Sequence, residues 1–374
     1  MAYPLSPDQI LSLRMRSQRL VLQGGEPVGN AAQVVSDVCG VQSQDLPAAV
    51  LSIWARSAGL TAAQVNAERQ EKRTIAWTWC MRGTLHLVTA EDAAWLVPFL
   101  GPAFIAADRR RCEQLGWTEE SIITGLRLLT DALAGGKELT RQEIIRLLEA
   151  NHLPSEGQAP VHLIYRAALE GRLIAGPDRA GKPTYGLFED WLGDIKPLPR
   201  REALEKLARR YLAAYAPARL GDLASWSGLK IGEARQAWEL IEDQLFEVKA
   251  GGRLYWMLGN QLPWLDESSG SSPLVRLLPR YDTYWMGYAN RELSVDPEFA
   301  RRVQPGGGVI HPVLLVDGRA RGTWKSQHRK GRLEVVIEPF VPLPNQLRPL
   351  IEAEVADLGR FLGEEAVLIL TKAE

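Results

Sequence analysis

The chain has few of the residues that bind metals or form disulfides. Its three cysteines, Cys39, Cys80 and Cys112, include no Cys-x-x-Cys pair, and its five histidines include no His-x-x-x-His pair. This spacing lacks the usual zinc patterns and offers no disulfide framework, so it indicates a reducing, cytoplasmic setting. We therefore expect no metal site and no cofactor.

Long apolar runs and a surplus of either charge are also missing. No stretch is long enough to span a bilayer, and the first residues show no signal-peptide pattern. The net charge is −1 over 374 residues, which implies no general attraction to membranes or nucleic acid. Any basic surface must therefore be local, and the length allows two or three domains.

The common catalytic arrangements are absent as well. The sequence contains no P-loop and no Ser/His/Asp or metal-ligand pattern. Among the polar residues of strand-like segments, Arg82 and His86 lie close together in sequence. A lone histidine in a strand is usually structural, and a nearby arginine is usually a salt-bridge anchor. We treat the two only as auxiliary candidates.

The most suggestive stretch runs from residue 40 to residue 45 and contains Gln42 and Gln44. Asn30 can cap a helix before it, and Asp45 can cap a helix after it. The residues in between should then be extended, and a period of two places both glutamine side chains on one side. Two amides beside a helix N-terminus could position a water near a phosphate. The alternative is an ordinary polar link between two helices.

Helices followed by a β-hairpin recur along the first part of the chain. Residues 74–88 alternate in polarity and predict a strand pair, and residues 173–187 predict a strand, a glycine-rich tip and a strand. Residues 218–229 have the helix-turn-helix pattern with Gly228 at the tight turn, and residues 245–258 predict another hairpin. This order is typical of winged helices, so we predict three tandem winged-helix units. Their predicted ranges are 1–112, which carries the Gln-x-Gln stretch, 113–200 and 201–260.

The C-terminal part changes in character from helices to strands. Residues 259–273 are rich in Pro, Gly and Ser and predict a linker. Beyond it, Asp317-Gly318 between two β-rich runs is a strong hairpin signal, and a final helix is predicted at 345–362. Strands are predicted at 274–278, 308–316, 319–325 and 332–337. We expect residues 274–374 to form a β-barrel-like domain or curled sheet with a terminal helix, which makes the fold class α+β.

Positive charge is concentrated in one segment of this C-terminal part. Between residues 319 and 332 there are six Lys or Arg residues, with Trp324 among them and no acidic residue. Phosphate contacts need such density, and an aromatic ring could stack on or wedge between bases. The alternative is a solvated hairpin. The candidate DNA-contacting residues are Arg319, Arg321, Trp324, Lys325, Arg329, Lys330 and Arg332.

Several motifs together carry a resemblance to a known family. They are residues 40–44 (GVQSQ), 79–88 (WCMRGTLHLV), 277–282 (LLPRYD), 287–291 (GYANR), 316–319 (VDGR) and 322–324 (GTW). In this order, and over nearly the whole chain, they resemble the winged-helix DNA crosslink-repair glycosylases of the AlkZ/YcaQ type. The resemblance implies three winged-helix units and a C-terminal β-barrel in a C-shaped molecule that holds DNA in its concavity. It also implies that Gln-x-Gln is the catalytic motif, here Gln42 and Gln44; the middle position, often apolar in the family, is Ser43.

The reaction that the resemblance implies suits neutral side chains. A purine alkylated at N7 is already cationic and leaves without a strong general acid, so the enzyme must mainly place a water below C1′ and stabilise the sugar cation. A glutamine carbonyl can accept a hydrogen bond from that water, and its NH₂ can hold a phosphate or sugar oxygen. We assign water positioning to Gln44 and its orientation to Gln42. Asp45 is an ionised auxiliary candidate, although we interpret it mainly as the helix cap.

The leading hypothesis is therefore a monofunctional DNA glycosylase that removes N7-alkylated purines and could unhook interstrand crosslinks. We expect double-stranded DNA with such lesions as its partner, no membrane partner, a monomer, and a place in the bacterial cytoplasm at the nucleoid. The alternative is a non-catalytic winged-helix DNA-binding protein, such as a transcriptional regulator, because the fold alone does not separate the two.

Overall fold

The computed structural model describes residues 2–21, 29–193, 197–266 and 272–373. The α-helices are α1 Pro7–Ser17, α2 Ala31–Asp37, α3 Leu46–Trp54, α4 Ala62–Gln70, α5 Ala90–Gln114, α6 Glu119–Leu133, α7 Arg141–Ala150, α8 Ala159–Leu169, α9 Phe188–Leu192, α10 Arg200–Tyr215, α11 Leu220–Ser227, α12 Ile231–Glu239, α13 Thr283–Met286, α14 Ala300–Val303 and α15 Leu347–Leu362. The strands are β1 Tyr3–Pro4, β2 Val41–Gln42, β3 Ile75–Trp79, β4 Leu85–Thr89, β5 Leu139–Thr140, β6 Leu173–Arg179, β7 Lys182–Leu187, β8 Leu245–Ala250, β9 Arg253–Leu258, β10 Val275–Leu278, β11 Val313–Val316, β12 Arg319–Arg329, β13 Arg332–Pro339 and β14 Ala366–Leu370. Each helix of the described ranges is too short or too polar to cross a membrane.

Short-range capping signals start the helices at the residues that the sequence predicts. Ser6 begins α1 with a capping box, and Thr140 does the same for α7. The side chains of Asn30 and Asp45 accept from backbone N–H groups in the first turns of α2 and α3. Gly228 ends α11 at a φ of 83°, which confirms the tight turn of the helix-turn-helix prediction.

The chain divides into two compact units. Unit 1 consists of Met1–Asn66 and Leu204–Glu374, and unit 2 consists of Ala67–Ala203. Unit 1 contains the Gln-x-Gln stretch and the predicted DNA-contacting hairpin, whereas unit 2 contains Arg82 and His86. The boundaries of the three winged-helix units stay a prediction.

In unit 1 the helix-turn-helix pair α11 and α12 precedes the predicted hairpin of β8 and β9, which pair antiparallel. The short strand β1 pairs parallel to β8 and extends this sheet, a contact that no local pattern predicts. A buried aromatic cluster of Tyr211, Tyr215 and Trp226 joins α10 to α11. The Tyr211 hydroxyl donates to the Gly287 carbonyl oxygen, so the same cluster also fixes the segment after α13.

The C-terminal sheet of unit 1 is open. Its order is β10-β11-β12-β13-β14, with antiparallel pairs except for β13 and β14, which run parallel. A parallel connection needs a crossover, and α15 supplies it, so β14 extends the sheet beyond β13. Within the described residues β10 and β14 do not pair, so the expected barrel closure is corrected to an open five-stranded sheet with a helix against it.

The predicted linker at 259–273 is only partly irregular. Its first part, Gly259–Leu265, is a 3₁₀ helix in which Gln261 is buried. The Gln261 side chain donates to the carbonyl oxygen of Leu212 and so packs on α10. The remainder of the predicted linker includes residues 267–271, which lie outside the described residues.

Unit 2 is built on two antiparallel hairpins that share one sheet. The strand order within this unit is β4-β3-β6-β7-β5, and all neighbouring pairs are antiparallel. This confirms the strand pairs predicted at 74–88 and 173–187. Buried apolar residues of α6, α7 and α8, among them Leu129, Ile144 and Leu163, form the core beside these strands.

Candidate active site

The two glutamines of the Gln-x-Gln stretch meet as their spacing predicts. Cys39 and Gly40 adopt positive φ angles of 53° and 97° after α2, and the chain then extends through β2. The Gln42 Nε2 atom donates to the Gln44 Oε1 atom at 2.9 Å. Gln42 is 6 % exposed, whereas Gln44 is an exposed residue. The pair therefore consists of a buried amide that orients an accessible one.

The residue between the two glutamines lies on the opposite side. Ser43 is fully buried, and its hydroxyl has no hydrogen-bond partner among the described residues. A buried hydroxyl without a partner carries a desolvation cost. The site would therefore accept an apolar residue at this position.

Gln44 faces an open cleft of about 810 Å³ within unit 1. The lining residues are Gln44, Asp45, Leu46, Pro47, Arg280, Tyr281, Gly307 and Gly308. The Arg280 Nη1 atom lies 3.4 Å from the Asp45 Oδ2 atom, and the Arg280 guanidinium lies 5.0 Å from the centre of the Tyr281 ring. The other Asp45 oxygen accepts from the Ala48 backbone N–H at 3.1 Å. Asp45 is thus the helix cap of the prediction and also the partner of the cleft's arginine.

A buried ion pair holds the two sides of this cleft together. Arg56 and Asp282 are fully buried and form two hydrogen bonds, at 2.7 and 2.8 Å. The Ser52 hydroxyl of α3 also donates to Asp282. Since α3 starts at the Gln-x-Gln stretch and Asp282 follows the Arg280–Tyr281 segment, the pair fixes Gln44 relative to Arg280. The sequence indicates Asp282 only as the last residue of the 277–282 motif, and it gives no signal for Arg56.

This network continues to the first helix of the chain. The Gln18 Oε1 atom accepts from Arg56 Nη2 at 3.2 Å and from the Thr283 hydroxyl at 2.8 Å. The Gln18 Nε2 atom donates to the Ala214 carbonyl oxygen of α10. Each charged or amide side chain in this core therefore has at least one partner, as burial requires, although the Arg56 Nε atom has none among the described residues.

Arg82 and His86 lie on the β3–β4 hairpin of unit 2. His86 is 2 % exposed, and its Nδ1 atom is 2.9 Å from the Thr84 carbonyl oxygen. Burial, and then the neighbouring charge of Arg82, lowers the pKa of His86 to about 3. Arg82 itself has a φ of 56°, in the left-handed region. His86 is therefore a neutral, buried ring at neutral pH, and an auxiliary catalytic role for either residue stays a prediction.

The basic residues of the predicted DNA-contacting hairpin lie on β12, on β13 and in the turn between them, all in unit 1. Four of them are within 4.0 Å of carboxylates, namely Arg319 with Asp8 and Asp296, Arg321 with Asp296, Lys325 with Glu338, and Arg332 with Glu365. Arg329 and Lys330 are exposed at the hairpin tip and have no ion pair within the described ranges. The positive charge of this hairpin that has no carboxylate partner among the described residues is therefore concentrated at its tip.

Trp324 belongs to the core of this sheet rather than to its surface. It is 5 % exposed, and its Nε1 atom donates to the Leu278 carbonyl oxygen at 2.8 Å. A buried indole cannot stack on a base, so Trp324 is removed from the DNA-contacting set. The hydrogen bond from Trp324 helps to position the cleft, because Leu278 lies two residues before Arg280.

One group of described residues could hold a metal ion. The ligand atoms of Asp108, Cys112 and His162 in unit 2 lie within 4.8 Å of one another. Asp108 Oδ2 is 2.8 Å from His162 Nδ1 and accepts from the Cys112 thiol at 3.2 Å. Burial, together with the Asp108 hydrogen bond, raises the pKa of Cys112 to about 12. Hydrogen bonding among the three side chains accounts for their arrangement.

Most of the chain is similar to known proteins. A family model described as "DNA glycosylase AlkZ-like" matches residues 35–361. The curated interstrand DNA cross-link repair glycosylase of Streptomyces sahachiroi is 29% identical over 375 residues, which cover 95% of this chain and 96% of that protein. The solved structure of the Streptomyces sahachiroi DNA glycosylase AlkZ is similar with a TM-score of 0.82 and 26% identity, over 99% of this chain and 100% of that one. Since the family model matches most of the sequence, the chain belongs to the AlkZ-like DNA glycosylase family.

Proposed function

We propose that this protein hydrolyses the N-glycosidic bond of N7-alkylated purines in double-stranded DNA and also unhooks interstrand crosslinks formed through such bases. The observation that carries the proposal is the exposed Gln44 carboxamide, oriented by Gln42 in an open cleft of a DNA glycosylase family member. The lesion class is argued from the chemistry that this cleft can support.

The cleft is suited to a leaving group that is already positively charged. Its charged lining residues are Asp45 and Arg280, which lie beside each other. Asp45 caps α3 and pairs with Arg280, so it is not placed to act on a neutral base. An N7-alkylated purine does not need protonation, because departure of the base neutralises its positive charge. A general acid typically contributes about 10²–10⁴ in rate, and a cationic purine can leave without that contribution.

Gln44 acts on water and on the developing sugar cation. Its Oε1 atom has two lone pairs, and the bond from Gln42 uses one of them. The second lone pair can accept from a water directed at C1′, and the same dipole stabilises positive charge on the sugar. Gln42 fixes the rotation of the Gln44 amide, so the oxygen rather than the NH₂ is presented to that water. An amide scarcely binds protons, so this is positioning and electrostatic stabilisation rather than base catalysis.

An open cleft also suits a base that cannot leave the helix. Enzymes that flip a nucleotide bind it in a snug pocket, and a crosslinked base is tied to the opposite strand. The relative from Streptomyces sahachiroi is described as an interstrand cross-link repair glycosylase. We extend that substrate class to this chain on the openness of the Gln44 cleft.

DNA is held chiefly by exposed basic residues outside the cleft. In the proposal Arg329 and Lys330 at the hairpin tip make phosphate contacts, and Lys325 and Arg332 exchange their carboxylate partners for phosphates. The three winged-helix units, the C-shaped arrangement and a monomeric state are parts of the same proposal that rest on the family resemblance.

Base release from defined lesions tests this proposal. Purified protein is incubated with duplexes that contain N7-methylguanine or a nitrogen-mustard crosslink, and free base and abasic sites are measured. We expect release of the alkylated base and no strand cleavage until the abasic site is treated with alkali. Intact substrate from both lesions at enzyme excess would overturn the proposal.

The second candidate is a non-catalytic DNA-binding protein, and the well-formed helix-turn-helix of α11 and α12 favours it. It predicts selection of one duplex sequence from a random pool, with binding unaffected by Gln44→Ala. A sequence-independent preference for alkylated duplexes contradicts this candidate.

A further inference from the structure

We propose that Arg280 and the glycine turn at residues 306–309 form a subsite for the sugar–phosphate backbone of DNA, opposite Gln44. This inference rests on the proposed function of the cleft and adds the surface that positions the substrate strand. The evidence is the shape and the charge of the cleft wall, and the residues of that wall are not part of the Gln-x-Gln motif.

The glycine turn is shaped by three successive residues with positive φ. Gly306, Gly307 and Gly308 have φ angles of 123°, 59° and 76°, and the Val309 backbone N–H donates to the Gly306 carbonyl oxygen at 3.0 Å. All three glycines are exposed, and the last two line the cleft. Two central residues at positive φ define a type I′ turn, which Asn-Gly would form equally well.

The positive φ angles favour glycine at all three positions, and packing within the protein leaves the surface of the turn bare. A Cβ atom built on any of the three glycines would meet nothing within 4 Å. By contrast, a Cβ on Gly322 would lie 2.7 Å from the Glu338 carbonyl oxygen, so that glycine is required by the sheet. The space in front of the turn is therefore open, and Gly307 and Gly308 border the same cleft as Gln44 and Arg280. A backbone without side chains permits the close approach that a second backbone, here the DNA strand, needs.

Arg280 provides the charge for the same wall. Its side chain is 42% exposed, and its ion pair with Asp45 is long, at 3.4 Å. The segment is anchored by the next residue but one, because Asp282 is fully buried and hydrogen-bonded to Arg56. Arginine binds phosphate oxygens through parallel N–H groups, and a phosphodiester at this position can replace Asp45 as its partner. The turn and Arg280 together would fix one strand so that a C1′ atom faces Gln44.

Shape is tested with Gly307→Asn, measured against Gly136→Asn in unit 2. Asparagine tolerates positive φ, so both variants should fold with unchanged melting temperature. Gly136 has a φ of 75° and equally open surroundings, which makes it the matched control. We expect Gly307→Asn to slow base release by roughly tenfold or more, because small misplacements of substrate are costly, and Gly136→Asn to have no effect. Equal rates for the two variants would overturn the role of the turn.

Charge is tested by the salt dependence of binding to an alkylated duplex. Arg280→Gln should reduce the slope of log Kd against log salt by about 0.9, the value of one phosphate contact. Asp45→Asn preserves the helix cap and releases Arg280 from its carboxylate, so it should tighten binding at low salt. Arg348→Gln, at an exposed residue of α15, should leave the slope unchanged. Identical slopes for Arg280→Gln and Arg348→Gln would overturn the subsite.

The two measurements separate this inference from the proposed function. A normal salt slope for Arg280→Gln in a protein that releases base removes the subsite and leaves the glycosylase. A reduced slope in a protein that releases no base supports the subsite and removes the proposed reaction. Failure of the protein to bind any duplex contradicts both.

Discussion

The cleft beside Gln44 in unit 1 and the pocket beside Asp108, Cys112 and His162 in unit 2 contain very different groups. The pocket has a volume of about 580 Å³ and includes a thiol and a carboxylate, and an imidazole lies next to them. The cleft offers the Gln44 amide, which Gln42 orients from behind, and the ion pair of Asp45 and Arg280. Judged only by the chemical groups that are present, the pocket would be the expected site of catalysis.

The difference lies in which groups are available to a substrate. In the pocket, Asp108 already accepts from both neighbours, and burial keeps Cys112 protonated, with a pKa near 12. A protonated thiol is a poor nucleophile and a poor metal ligand. In the cleft, one side of the Gln44 amide is exposed while Gln42 fixes the other. For a cationic leaving group, an accessible and oriented amide is more useful than a thiol, a carboxylate and an imidazole that are hydrogen-bonded to one another.

The largest effect should come from breaking the ion pair under the cleft. Asp282→Ala leaves Arg56 as a buried charge without its partner, which we expect to cost about 3–5 kcal/mol of unfolding free energy. Chemical denaturation followed by circular dichroism measures this loss. Glu352→Ala, which breaks the exposed Arg348–Glu352 pair, is the control and should change stability little. A similarly small change for Asp282→Ala would mean that the pair does not support the site.

Next in size is the loss of the exposed amide. Gln44→Ala should lower the single-turnover rate of base release by about 10²–10³, comparable to removing one electrostatic donor at a preorganised site. Binding to the alkylated duplex should persist, because Gln44 contributes no charge. Gln33→Ala on the exposed side of α2 is the matched control and should retain the full rate. A loss of binding as large as the loss of rate would assign Gln44 to recognition instead of catalysis.

A smaller loss is expected when only the orienting amide is removed. Gln42→Ala deletes the 2.9 Å hydrogen bond to Gln44 but leaves the exposed carboxamide in place. A neutral hydrogen bond is worth about 0.5–1.5 kcal/mol, which corresponds to a rate decrease of roughly 2- to 10-fold. The double variant with Gln44→Ala should then be no slower than Gln44→Ala alone. Additive losses in the double variant would show that Gln42 acts on the substrate directly.

A change of the residue between the glutamines should act on stability alone. Ser43→Ala removes a buried hydroxyl without a partner and should raise the unfolding free energy by about 1 kcal/mol. Ser57→Ala is the counterpart, because the Ser57 hydroxyl donates to the Trp54 carbonyl oxygen and its loss should destabilise. Base release by Ser43→Ala should equal that of the unchanged protein. Destabilisation by Ser43→Ala would indicate that the hydroxyl is hydrogen-bonded after all.

The sequence predicts the geometry of the Gln-x-Gln stretch well because its determinants are local. Asn30 and Asp45 each cap a helix through a backbone N–H three residues away, and the extended residues between the helices bring Gln42 and Gln44 together. The family resemblance adds the prediction that the pair is catalytic. The strand and helix order of most elements follows from the same short-range periodicities.

The other half of the cleft has no local signature. Asp282 is 226 residues from Arg56 in sequence, and the spacing around each residue gives no hint of the other. Arg280 and Gly307 reach Gln44 only through this folding of distant segments. Trp324 is a different case, since alternation along β12 puts Ala320 and Trp324 on its buried face, and that period could have corrected its assignment from sequence alone.

The smallest effect on rate should come from pH, because neither glutamine titrates and His86 has a pKa of about 3. Base release from N7-methylguanine DNA should show no step attributable to His86 between about pH 5 and 8. Stability behaves differently, since the unfolded His86 binds a proton near its ordinary pKa of 6.5 while the folded ring stays neutral. Its contribution is complete above pH 6.5 and declines as the pH falls towards 3, with a slope of at most about 1.4 kcal/mol per pH unit. A step in rate near pH 6.5 that disappears in His86→Gln would instead make the buried imidazole a participant in the reaction.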